Sequence, residues 1–201
     1  MPNLEKSPEI KILSRDPVMK KLIGEHGKLT LTKSRDYFTN LVRSIIGQQL
    51  SGKAAATIWE RTVALTGDDV SADKILSVSD EALRKAGISS NKIKYIKVLA
   101  QAVLDKSLNL ASLPKYDDEE IIKRLTAIKG IGRWTAEMFL IFSLAREDVF
   151  SFGDGGLNNA VNKLYGNGGV LNKDEIRNIA ENWKPYRSIA SLYLWQSLDK
   201  K

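Results

Sequence analysis

The sequence predicts an all-α protein, on three observations. Apolar residues recur at three- and four-residue spacing almost throughout, the period of a helix with one buried face. Alternating runs of the strand type are scarce. Short connections rich in glycine, serine and acidic residues separate the periodic segments, as helix caps do.

The segments justify themselves in order. "DYFTNLVRSIIGQQL" puts Phe38, Val42, Ile45, Ile46 and Leu50 on one broad face, and Leu50 is expected in the core. Ser51 then caps "GKAAATIWERTVAL". "SDEALRKAG" is a short helix closed by Gly87. "SSNKIKYIKVLAQAVL" is longer, with Ile93, Ile96, Leu99 and Val103 inward. "YDDEEIIKRLTAI" has an acidic first turn that suits the helix dipole, and Asp117 and Glu120 stand at capping-box spacing. Arg133 to Leu144 is apolar on most sides and reads as a central helix. Residues 155–165 stack Leu157, Val161 and Leu164. Asn172 and Glu175 repeat the capping-box spacing before "DEIRNIAENW", and Pro185 stands near the start of the last helix, "YRSIASLYLWQSL". The expectation is about ten helices, by usual helix lengths.

Composition narrows the function classes. The chain has 201 residues, 43% of them hydrophobic, which suffices for one large domain or two small lobes. A formal net charge of +7 favours a polyanionic partner, nucleic acid being the commonest. There is no cysteine, so disulfides, zinc thiolate sites and cysteine-ligated iron–sulfur clusters are excluded. The single His26 rules out a multi-histidine metal site within one chain. No stretch approaches the ~18 apolar residues of a membrane span, and "MPNLEKSPEIK" lacks the apolar core of a signal peptide. An intracellular, soluble protein is expected.

"KGIGRWTAEMFLIFSL" carries the first chemical signal. Gly130 and Gly132 have no side chains, so their N–H groups can approach another molecule closely. They precede a helix N-terminus, where free N–H groups and the dipole favour an anion such as a backbone phosphate. Lys129 and Arg133 stand beside them to add charge. The same residues also suit an ordinary turn between helices, with glycines there only for packing. In "SFGDGGLNN", Asp154 is likewise either a helix N-cap or a functional carboxylate.

"LTAIKGIGRWTAEMFLIFSLAREDVFSFGDGGLNNAVNKLYG" resembles the helix–hairpin–helix and glycine-rich loop with aspartate of the base-excision DNA glycosylases. Within that superfamily it is similar to the alkylpurine branch, DNA-3-methyladenine glycosylase II. "FTNLVRSIIGQQLSGKAAATIWER", "LRKAGISSNKIKYIKVLAQAV" and "AENWKPYRSIASLYLWQ" resemble three further family segments in the family's order. The resemblance covers all but the first few tens of residues. It implies a two-lobed helical fold, with lobes at about residues 36–115 and at 1–35 plus 116–201, and a DNA cleft between them. Some relatives carry an extra N-terminal α/β domain; with helical motifs that begin by Phe38, the compact form without it is expected.

The resemblance also implies roles. Asp154 falls at the family's catalytic aspartate, where a carboxylate stabilises an oxocarbenium-like sugar or orients water. The family often has an acidic residue or proline just before it, where this chain has Phe152 and Gly153. Trp134 stands where relatives that also nick the strand carry a Schiff-base lysine, so a monofunctional enzyme without lyase activity is expected. Trp134 and Trp195 match pocket tryptophans, with Met138 in place of a tyrosine and Phe38 and Tyr37 as further candidates; Trp59 and Trp183 read as core. In "GQQLSGK", Gln49 is the preferred wedge into the vacated base stack, with Gln48 the other candidate. Lys129, Gly130, Gly132 and Arg133 would hold the phosphate, commonly with a monovalent cation shared between carbonyls and phosphate. Arg187 and Ser188 serve either the last helix's N-terminus or a phosphate. The expected partner is double-stranded DNA containing alkylated bases, bound by a monomer without a cofactor, in the cytoplasm and nucleoid or in a nucleus. The competing readings are a non-catalytic helix–hairpin–helix module, another glycosylase specificity, and a helical protein-interaction domain.

Overall fold

The computed structural model describes residues 7–198. The described residues contain twelve α-helices and one 3-10 helix, with no strand among them. The chain divides into two compact units, one comprising Ser34–Phe139 and the other the residues up to Lys33 together with those from Leu140 onward. The second boundary therefore falls at residue 139, later than the 116 expected. The hairpin segment packs with the helices that precede it.

The Ser34–Phe139 unit holds α3 (Tyr37–Gly47), α4 (Gly52–Leu65), α5 (Ala72–Ser77), α6 (Asp80–Lys85), α7 (Ser90–Leu104), the 3-10 helix (Leu110–Lys115) and α8 (Asp118–Thr126). It also takes the first seven residues of α9 (Arg133–Phe142). α7 is its hub, packing against α3, α5 and α6. The periodic positions supply the core: Leu41, Val42, Ile45, Ile93, Ile96 and Leu99 are all buried. Each starting cap is local. Ser51, Ser79, Ser89 and Asp117 accept from the backbone N–H three residues on, which satisfies a donor the helix leaves unpaired. Asp117 makes only half of a capping box as described, since Glu120 turns to Arg124 instead, at 2.7 Å.

The other unit holds α1 (Pro8–Leu13), α2 (Pro17–His26), α10 (Gly155–Tyr165), α11 (Lys173–Glu181) and α12 (Arg187–Gln196). α12 packs on both α2 and α10. Trp183 and Tyr193 are fully buried at its centre with Leu13, Met19, Leu157 and Val161. Asp16 knots the unit together: one carboxylate oxygen caps α2, and the other accepts from the Tyr165 hydroxyl at 2.8 Å and the Trp183 indole at 3.0 Å. Burial raises the Tyr165 hydroxyl's pKa well above the ordinary value, and the Asp16 charge adds to that. Asn172 and Glu175 form the full capping box at the start of α11.

Candidate functional site

Within the Ser34–Phe139 unit, α8 ends at Thr126 and α9 starts at Arg133, so "KGIG" lies in the hairpin turn. Its two glycines have different jobs. Gly130 has φ +98°, a left-handed conformation costly for other residues, and a Cβ there would overlap the Tyr95 ring. Gly132 has no heavy atom within 4 Å of where a Cβ would sit, so its backbone is open to an approaching molecule. Close packing thus explains one glycine and accessibility the other.

A groove of about 560 Å³ opens here, lined by Gln48, Gln49, Tyr95, Gly130, Ile131, Gly132, Trp134 and Thr135. The "GQQLS" turn forms one of its walls. Gln48 donates from Nε2 to the Gly130 carbonyl and to the Thr135 hydroxyl, both at 3.1 Å. That ties the turn to the hairpin and removes Gln48 as a wedge candidate, because its amide is already engaged. Gln49 is exposed, with φ +57°. Leu50 is 39% exposed rather than in the core, because α3 ends at Gly47 and the turn carries Leu50 outward. Behind the turn, Lys92 Nζ donates to the carbonyls of Ile46 at 2.8 Å and Gln48 at 2.6 Å. Desolvation lowers the Lys92 pKa below the usual lysine value.

Lys129 is exposed at the hairpin. Arg133 is a different case. Its guanidinium meets Glu119 at 2.5 and 3.1 Å and Glu137 at 2.9 Å, a pairing that fastens α8 to α9. The hydrogen bonds to Glu119 raise the Arg133 pKa, and the same contact lowers the Glu119 pKa. Arg133 is therefore ion-paired within the unit, while its side chain remains 58% exposed. The sequence reading missed Glu119 because it lies fourteen residues from its partner.

In the other unit, Asp154 is 8% exposed and caps α10. Its Oδ1 accepts from the Leu157 N–H at 2.7 Å and from the Trp195 indole N–H at 3.2 Å. Gly156 permits this arrangement, since a Cβ there would lie 3.1 Å from Oδ1 and 3.5 Å from the indole. Trp195 is half-buried, and its ring lies 5.6 Å from that of Phe142, which is 49% exposed. The aspartate's loop is anchored from α12. The Ser188 hydroxyl accepts from the Val149 N–H at 2.9 Å and donates to the Val149 carbonyl at 3.1 Å. Arg187 pairs with Asp148 at 2.7 and 3.1 Å. The contacts of both residues, with Ser188 fully buried, hold the loop, a role outside the two alternatives expected from the sequence.

The remaining aromatics sort by burial. Trp134 is 39% exposed and Met138, one turn further along α9, is half-buried. Phe38, expected at the pocket wall, is instead in the core on the inward side of α3. Tyr37 meets Phe139 edge-on at 5.5 Å. Trp183 is core as expected, whereas Trp59 is only half-buried, under the Arg43 guanidinium. Among the described residues, no cluster of three or more His, Asp or Glu side chains could hold a metal ion. Nor is any described helix long and apolar enough to cross a membrane.

The hairpin with its open glycine and the exposed turn beside it lie in one unit, and the buried capping aspartate lies in the other. Residues 42–185 match the HhH-GPD superfamily of base excision DNA repair proteins, and the chain belongs to that family. It is 33% identical over 180 residues to DNA-3-methyladenine glycosylase 1 of Schizosaccharomyces pombe, covering 88% of this chain and 79% of that one. The crystal structure of a Bacillus halodurans DNA-3-methyladenine glycosidase superposes with a TM-score of 0.84 at 42% identity, covering 96% and 90% of the two chains. An S. pombe 3-methyladenine DNA glycosylase in complex with abasic DNA also superposes with a TM-score of 0.84, at 32% identity, covering 94% and 95%.

Proposed function

We propose that this protein is a monofunctional DNA glycosylase that hydrolyses the N-glycosidic bond of alkylated purines, of the 3-methyladenine and 7-methylguanine type, and so initiates base excision repair. The observation that carries the reading is Asp154: a nearly buried carboxylate held by a helix N–H and an indole N–H. DNA binding alone needs no such group, which disfavours a non-catalytic module.

Breaking the glycosidic bond develops positive charge on the sugar. A carboxylate already fixed in place stabilises that charge without reorganising, and it can also orient or deprotonate the attacking water. An N3- or N7-alkylated purine carries ring charge, which aromatic faces such as Trp134 and Trp195 attract, with Met138 beside Trp134 along α9. The base must first leave the duplex, at a cost of a few kcal/mol. Gln49 fills the vacated stack. The Gly132 N–H at the start of α9 and the Lys129 ammonium take a backbone phosphate, which carries no sequence information directly. Hairpin carbonyls are hard oxygen donors suited to a monovalent cation shared with that phosphate. Trp134 has no amine for a Schiff base, so the product is an abasic site. The enzyme works as a monomer on duplex DNA, in the cytoplasm and nucleoid or in a nucleus.

The test is release of 3-methyladenine and 7-methylguanine from alkylated DNA by wild type and Asp154→Asn. Asparagine keeps the α10 cap, so the variant folds and binds DNA. Its excision rate is expected to fall by at least roughly 10²–10³-fold, the scale of losing one preorganised electrostatic group. Release unaffected by the substitution would remove Asp154 from the chemistry. No release by a wild type that binds DNA would refute the proposed activity.

A further inference from the structure

We propose that Lys92 is a positioning residue for base extrusion: it holds the Gln48–Gln49 peptide so that Gln49 stands ready to insert. The inference rests on the glycosylase reading and assigns a role to a residue outside the hairpin and the aspartate loop.

α3 ends at Gly47, and the last carbonyls of a helix lack intrahelical donors. The Gly47 carbonyl is satisfied by the Leu50 N–H at 3.2 Å. Those of Ile46 and Gln48 are met by the Lys92 ammonium at 2.8 and 2.6 Å. A cation there also complements the negative end of the α3 dipole. Lys92 stands in the first turn of its own helix, α7, where a cation opposes the local dipole. Its placement is therefore explained by α3, not by α7.

The consequence falls on Gln49. Fixing the Gln48 carbonyl fixes the plane of the Gln48–Gln49 peptide, and rotation out of that plane about the next bond is φ of Gln49. That angle is +57°, a conformation non-glycine residues adopt at a cost. The Gln48 side chain secures the other flank through the Gly130 carbonyl and Thr135. The turn is thus held from two sides while the Gln49 side chain remains exposed. An insertion residue gains from this arrangement, because the ordering is complete before DNA arrives.

Two readouts on the full-length protein test the role. The first is the fluorescence of 2-aminopurine placed opposite an abasic analogue in a duplex, which reports unstacking on insertion. The second is single-turnover excision of 7-methylguanine from duplex and from single-stranded DNA, where an unpaired base needs no wedge. Lys92→Met is expected to lose most of the fluorescence change and to slow duplex excision about tenfold, as loss of two charge-assisted hydrogen bonds implies. Single-strand excision should stay within about twofold, because only extrusion is affected. Lys92→Arg should restore much of both signals. Gln49→Ala should abolish the fluorescence change, and adding Lys92→Met should do no more, since the two act as one unit. If Lys92→Met melts early, Lys92→Gln takes its place. Equal losses on both DNA forms, no loss, or additive losses with Gln49→Ala would each overturn the role. Fluorescence that behaves as expected without excision by wild type would support Lys92 and refute the glycosylase reading.

Discussion

Replacing Gly130 by alanine separates the two glycines of the hairpin. At φ +98° a Cβ costs about 1–2 kcal/mol through the left-handed backbone. It would also overlap the Tyr95 ring, and forcing extra volume into a packed contact costs about 1–3 kcal/mol. The sum is about 2–5 kcal/mol of destabilisation, which lands on the Ser34–Phe139 unit. Gly132→Ala, with nothing within 4 Å and no left-handed φ, should cost at most about 1 kcal/mol, the scale on which glycine is preferred to alanine just before a helix. Urea unfolding followed by tryptophan fluorescence reads both variants, with Trp59 and Trp134 reporting on this unit and Trp183 and Trp195 on the other. A Tyr95→Ala background removes the ring but keeps the Cβ of residue 95, which would lie 2.5 Å from the new one, so alanine at 130 should then cost less than in wild type but more than the about 1–2 kcal/mol of strain alone. DNA affinity should show the reverse order: Gly132→Ala weakens binding by covering an open backbone, out of proportion to its small stability cost. Equal stabilities for the two variants, or an unchanged cost in the Tyr95→Ala background, would refute the packing argument.

Two further outcomes follow from the site. Glu119 has its pKa lowered by the hydrogen bonds from Arg133, so its contribution to stability is present above the unfolded value near 4.5 and lost as pH falls through the lower folded value. The pair is exposed, so the contribution is below about 1 kcal/mol. Melting of wild type between pH 3 and 5 should therefore be slightly steeper than that of Glu119→Gln, about 1 kcal/mol at most. Glu119→Gln should also loosen Arg133 toward DNA and steepen the salt dependence of affinity by up to about one unit of log–log slope. In addition, borohydride should trap no covalent adduct between wild type and DNA containing an excised site, because the expected hairpin position holds Trp134 and no lysine. A trapped adduct would show a lyase nucleophile elsewhere in the chain.

How much of this was legible in advance depends on the range of the interaction. The helix caps at Ser51, Ser79, Ser89, Asp117, Asp154 and Asn172 are hydrogen bonds spanning two or three residues. Spacing alone therefore located most helix starts. The periodic faces of α3 and α7 were legible for the same reason, since a helix buries what recurs on one side. α1 and α2 were not, because the first few tens of residues matched no motif. The resemblance placed Asp154 and the hairpin glycines, but it could not say what each glycine touches.

Sequence by itself determined the helical class, the basic charge, the lack of thiolate chemistry and the family motifs, because these are local or compositional properties. Tertiary structure alone decided which members of a motif are engaged. Arg133 is ion-paired with Glu119, fourteen residues away, as well as with Glu137. Gln48 and Gln49 are adjacent and chemically identical, yet one amide is bound to the hairpin and the other is exposed. Phe38 shares a motif with these residues but lies in the core. Lys92 reaches carbonyls 44 and 46 residues away. A charge or amide is available to DNA only if no partner within the fold takes it first, and such partners are brought together by packing rather than by spacing along the chain.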